Sequence, residues 1–115
     1  MSPSGPLAEA DVQIRVSSDS SVEDRREVTE RVEAAVTGAL DRFREQITRV
    51  EAHLTDENSH KGGGNDKRCT LEARLRGLQP IAVTHQAATL DQAVNGAAAK
   101  LKKSIEHTIG RLRSR

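Results

Sequence analysis

Residues 67–113 read KRCTLEARLRGLQPIAVTHQAATLDQAVNGAAAKLKKSIEHTIGRLR, and the apolar period changes once within them. From Lys67 to Arg76 it is two: Cys69, Leu71, Ala73 and Leu75 fall on one side, Arg68, Thr70, Glu72, Arg74 and Arg76 on the other. That is the pattern of a half-buried strand, here with a basic outer face. Gly77 to Pro80 supplies turn chemistry, and Ile81 with Val83 resumes the alternation in a further strand ending near His85. Beyond Thr89 the steps become three and four. Leu90, Val94, Ala97, Ala98, Leu101, Ile105, Ile109 and Leu112 form one apolar stripe lasting to the C-terminus, and Thr89 with Gln92 makes a capping box in front of it. This stretch therefore predicts an antiparallel pair of strands followed by a long amphipathic helix.

Working back toward the N-terminus, the run from Asp56 to Asp66 holds Gly62, Gly63 and Gly64 among polar residues and reads as a flexible hairpin loop. Before it, Ile47, Val50, Ala52 and Leu54 point inward while Arg49, Glu51, His53 and Thr55 point outward, which is another strand. Val28, Val32, Ala35, Val36, Ala39, Leu40 and Phe43 give a helix over about residues 22–44, with Ser21 and Asp24 as its capping pair. Glu27 and Arg31 stand at the favourable i, i+4 spacing on its mixed-charge outer face. Val12, Ile14 and Val16 alternate with Gln13, Arg15 and Ser17 in a first strand, and residues 1–10 have no apolar period and read as a flexible tail. The predicted order is β-α-β-β-β-α. In this α+β fold a four-stranded sheet carries two helices on one face, because each strand has one apolar side and each helix one apolar stripe. The strand–helix–strand unit is a right-handed crossover. Residues 11–115 make a single domain.

Composition narrows the function. Apolar residues are 35% of the 115, and Phe43 is the only aromatic, so the core must be built from Val, Ile, Leu and Ala. No apolar run approaches the ~20 residues that span a bilayer, and no secretory leader pattern opens the chain, so a cytoplasmic location without membrane is expected. Cys69 is the only cysteine and has no disulfide partner within the chain. The net charge of +1 hides a division: residues 1–60 hold 7 Lys/Arg against 13 Asp/Glu, residues 61–115 hold 11 against 4. Such asymmetry fits either a face that meets a polyanion or internal complementarity. The basic excess concentrates on the last helix, where Lys100, Lys102, Lys103, His107, Arg111, Arg113 and Arg115 face one acid, Glu106. Cations in a last turn favour the helix dipole, but Lys100 to Lys103 lie too far upstream for that account.

Three local stretches, taken with the element order, carry a resemblance: Ile47-Thr48-Arg49-Val50 and Ala52-His53-Leu54 after a helix ending in Phe43, and Leu90-Asp91-Gln92-Ala93-Val94 leading to Lys100-Leu101. In these, over about residues 11–113, the chain resembles the ribosome hibernation-promoting factor and ribosome-associated inhibitor (sigma-54 modulation protein) family in its short form. The resemblance implies a factor that binds the small ribosomal subunit and its 16S rRNA near the decoding region. It would block translation in stress or stationary phase by occupancy. Structured RNA is met largely through phosphates and shape, so the expected RNA-binding residues are Lys100, Lys102, Lys103 and Arg111 on the last helix. Arg15, Arg68, Arg74 and Arg76 on the open sheet face form a second set. The chain departs from the family at Asp91, where an aromatic is usual, at Asn95, where an acid is usual, in its longer glycine loop, and in an acidic first helix. Longer members pair two ribosomes through a second domain, and the resemblance implies that these 115 residues alone are not expected to do so.

Other chemistries find less support. His53, His60, His85, His107 and Cys69 match no metal-finger spacing. The glycine triplet joins two strands and lacks the Lys-Ser/Thr that opens a helix in phosphate-cradling loops. A one-layer sheet under two helices offers no deep cleft for paired catalytic groups. The expectation is a protein that is not an enzyme, uses no cofactor, metal or small-molecule substrate, and is not predicted to need a homo-oligomer. The competing reading is a protein-interaction module of the same fold that has lost strong ribosome binding.

Overall fold

The computed structural model describes residues 12–18, 25–56 and 67–113. Strand β1 spans Gln13–Ser18, helix α1 Arg25–Leu40 with a 3-10 turn at Asp41–Phe43, β2 Ile47–Asp56, β3 Lys67–Leu75, β4 Ile81–Ala87 and helix α2 Leu90–Arg113. The β-α-β-β-β-α order is as the apolar periods require. Residues 1–10, the Ser21–Asp24 capping pair and the glycine loop lie outside the described residues.

The sheet order is β1-β2-β3-β4. β1 lies parallel to β2, joined by the α1 crossover, and β2, β3 and β4 form an antiparallel meander. Register places apolar residues opposite one another: Ile14 beside Val50, Leu54 beside Cys69, Leu71 beside Val83. Ile47 and Val50 are both buried though three apart, which strict alternation forbids. A bulge between Ile47 and Arg49 absorbs the extra residue, Thr48, whose Oγ1 donates to the carbonyl of Arg74 at 3.2 Å.

Both helices lie on this apolar side. α2 packs on β3 and β4, and α1 packs beside it and over β1. Val32, Val36, Ile47, Val50, Leu54, Leu71, Leu101 and Ile105 are fully buried, and no polar side chain among the described residues is buried with them. Each such aliphatic side chain contributes roughly 1.5–3 kcal/mol on burial. The last strand runs two residues beyond the predicted end, because Ala87 still pairs with Lys67. The α2 cap forms as expected, the Gln92 amide donating to Thr89 Oγ1 at 3.1 Å. Gly77, at φ 72°, makes the reversal into β4.

Two inward positions show how tight the packing is. The His85 ring on β4 lies so close to Gly96 on α2 that a Cβ at residue 96 would meet it at 2.1 Å. Glycine is required there by contact with the ring. Cys69 is wholly buried, and burial pushes its thiol pKa up to about 12.

Replacing an exposed mid-helix glycine by alanine normally stabilises by about 1 kcal/mol. Gly96→Ala is expected to do the opposite, lowering the urea midpoint, and His85→Ala is expected to restore the usual sign in a double-mutant cycle; additivity of the two changes would refute the contact. The Cys69 thiol should react with an aromatic disulfide reagent only as fast as the chain unfolds. As the raised pKa favours the protonated thiol in the fold, stability should fall as pH climbs from about 9 toward 12, with a shallower fall in Cys69→Val.

Candidate nucleic-acid interface

Helix geometry divides the basic residues of α2 into two groups. Positions 100, 103, 107 and 111 follow one another at steps of three and four and share a stripe. Lys102 and Glu106, also four apart, lie on the other flank, where Glu106 meets Arg42 beyond the end of α1 at 3.5 Å. Lys103, His107 and Arg111 are exposed, while Lys102 is half-buried. Lys100 is differently placed. Its Nζ donates to the backbone carbonyl of Thr84 at 2.9 Å, so it occupies the outer side of edge strand β4, a place where lysine blunts unwanted strand pairing.

Between this stripe and β4 runs a shallow groove. Lys103, Ser104, Glu106, His107 and Thr108 line it with Ile81, and it continues past Thr108 to Leu78, Pro80, Arg111 and Leu112. Leu112 is 48% exposed, the sole large hydrophobic so exposed among the described residues.

The open face of the sheet is mixed in charge and less basic than the alternation of β3 alone suggests. Arg15 stands beside Glu51 on β2, which stands beside Glu72 on β3. Arg49 Nε reaches Glu51 at 3.1 Å and lies opposite Arg74. Arg68 sits between Thr55 and Gln86. A neutral row crosses the centre: Ser17 Oγ and His53 Nδ1 are 2.9 Å apart, and the Thr70 and Thr84 hydroxyls are 3.1 Å apart. Arg49 lies on the same face as the predicted arginines, as its parity in β2 requires. Arg76 is differently placed. It lies one residue past β3, its amide donating to the Gln46 carbonyl at 2.9 Å and its Nε to the Glu45 carbonyl at 2.8 Å. Its visible task is to tie the end of β3 to the turn before β2.

On α1 and the turn after it three arginines are paired. Arg31 bonds Asp91 at the start of α2 and Glu27 at 3.1 Å, and these hydrogen bonds, Asp91 first, raise its pKa further. Arg44 meets Asp41 at 3.3 Å. Asp91, which replaces an expected aromatic, thus joins the two helices by an ion pair. Among the described residues no three His, Cys, Asp or Glu side chains converge as metal ligands, and no helix is long and apolar enough to cross a membrane.

With this geometry in place, similarities to known proteins can be stated. The model of the family described as Sigma 54 modulation protein / S30EA ribosomal protein matches residues 22–113. The Thermus thermophilus Protein Y N-terminal domain has a similar fold, with a TM-score of 0.65, 16% identity, and coverage of 85% of this chain and 98% of that one. A ribosomal subunit interface protein from Coxiella burnetii follows at 0.62 and 14% identity, covering 86% of this chain and 97% of its own. No curated protein matches in sequence.

The Lys100 contact makes a separable prediction. Lys100→Glu puts a carboxylate against the Thr84 carbonyl and should cost about 1 kcal/mol or more in urea unfolding. Lys103→Glu, on the exposed crest, should stay within about 0.5 kcal/mol of the parent. Equal effects would show that the edge contact contributes nothing.

Proposed function

Because the chain belongs to the sigma 54 modulation protein / S30EA ribosomal protein family, we propose that it is a cytoplasmic, ribosome-associated hibernation factor that works by occupancy. It binds the small subunit through 16S rRNA near the decoding region and blocks translation in stress or stationary phase. One observation carries this reading. Lys102 and Lys103, adjacent on one rigid helix, have no ion-pair partner among the described residues, whereas of the described arginines in the acidic first half four of six, Arg31, Arg42, Arg44 and Arg49, are paired. Unpaired cations on a rigid helix meet phosphates without first giving up an internal partner. With Arg111 they form the primary set, and Arg15, Arg68 and Arg74 form a second set around the glutamates of the sheet. Lys100 and Arg76 support the surface from structural positions.

A second reading has its own observation. Glu33 stands over a groove floored by Val12, Ile14, Val36, Leu40 and Ile47 beside edge strand β1. This side suits a protein partner, and an interaction module that binds ribosomes weakly would use it.

Co-sedimentation with small subunits and whole ribosomes across a salt series, with transfer RNA as competitor, separates the two. Occupancy of the decoding region predicts binding that transfer RNA displaces and that weakens steeply with salt. Replacing Lys102, Lys103 and Arg111 together by Glu should abolish binding at moderate salt and reduce the log–log salt slope by about two to three. Absence of binding at low salt, with a stoichiometric partner captured from ribosome-cleared extract, would favour the module.

A further inference from the structure

The groove between α2 and β4 combines two chemistries that the ribosomal reading, on which this inference rests, does not itself require. Lys103, His107 and Arg111 follow one another at successive helical turns, about 6 Å apart along the axis, a spacing commensurate with successive phosphates of one nucleic-acid strand. Immediately below them lie Ile81, Pro80, Leu78 and Leu112. α2 overhangs the start of β4, so Leu112 reaches the β3–β4 turn instead of the sheet and stays exposed. Glu106 also lines this groove, and its carboxylate meets Arg42 at 3.5 Å, which offsets its charge beside Lys103.

We propose that this groove holds unpaired RNA, with phosphates along Lys103 and Arg111 and an unstacked base against Leu112, Pro80 and Ile81. The physical reason is selective. A duplex presents only phosphates and sugars to a convex helix, and its bases remain stacked on each other. An unpaired strand can turn a base face onto apolar side chains, and sequence-tolerant base contacts of this kind add to the phosphate attraction. Aromatic platforms usually serve this purpose. Here Phe43 is the one aromatic and is buried at the far end of α1, so a proline and branched aliphatics supply the surface. His107, between the two cations, is placed to donate to a phosphate or a base edge.

The test uses the full chain and two RNA probes of equal phosphate number, a pyrimidine-rich single strand and a blunt hairpin, followed by fluorescence anisotropy at fixed salt. Leu112→Ser changes an exposed side chain and should leave folding intact. It is expected to weaken single-strand binding by about tenfold while changing hairpin binding less than about twofold. Lys103→Ala with Arg111→Ala should weaken both probes together. Equal loss for both probes in Leu112→Ser, or no loss for either, would overturn the proposal. So would stronger competition by an acidic, leucine-containing peptide of the same charge, which would assign the groove to a protein ligand. Ribosome co-sedimentation keeps the two readings apart. Binding to ribosomes without single-strand preference removes this groove assignment only, and single-strand preference without ribosome binding removes the ribosomal reading only.

Discussion

The closeness of α2 to β3 and β4 governs the rest of the structure. The inner face of that helix is made of Ala93, Ala97 and Ala98 beside Val94, Leu101 and Ile105, and at Gly96 its backbone comes into contact with the His85 ring. A chain with one aromatic cannot fill a wide gap between helix and sheet; it must close the gap. Small residues let the helix settle on the sheet, and dispersion across many short contacts then replaces the large areas that aromatic side chains would bury. Because α2 has 24 residues and β4 has 7, a helix held that closely must overhang the strand at its C-terminal end. The contact that makes the core also fixes the reach of Lys100 to the strand edge and the exposure of Leu112.

The charge division along the sequence admitted two explanations, and the structure shows one of them directly. Arg31 with Asp91 and Arg42 with Glu106 join the first half of the chain to the second, which is internal complementarity. These pairs are exposed and screened by solvent, so their weight lies in orienting the helices more than in stability. Lys102 and Lys103 on α2 take no part in these pairs, and they belong to the surface proposed to meet a polyanion.

The fold was largely legible because it rests on periods. The two-residue alternation of β3 and β4, the long stripe of α2 and the Thr89 cap all act within a few residues, and the structure follows them closely. What was not legible depends on pairings between residues distant in sequence. Nothing local marks Lys100 as a ligand of the Thr84 carbonyl, or Arg76 as a ligand of the Glu45 carbonyl; both looked like surface cations free for phosphate. The parity of β3 made its outer face look basic despite Glu72, but Glu51 joins that acid in the same patch only through the strand register. The spacing of Ile47 and Val50 did contain a trace of the bulge, as two inward residues three apart cannot share a regular strand.

These corrections change how binding strength should be apportioned. Eight candidate cations suggested a purely electrostatic surface whose affinity would collapse as salt rose. Lys100 and Arg76 keep their charge and their remaining donors, since each gives only one side-chain N–H to a neutral carbonyl. Arg15 and Arg49, by contrast, are set among glutamates, so the sheet face would neutralise fewer phosphates and the salt dependence of the proposed complex would be shallower. Affinity lost from the charge term has to come from contacts that salt does not screen. The groove proposed to hold RNA would supply such a term beside Lys103 and Arg111, because burial of apolar surface is insensitive to the counterion atmosphere and is if anything strengthened by strongly hydrated salts. A surface built of few cations and an adjoining apolar strip discriminates among polyanions by what lies between their phosphates. That is a more selective device than charge alone, and it follows from the overhang of α2.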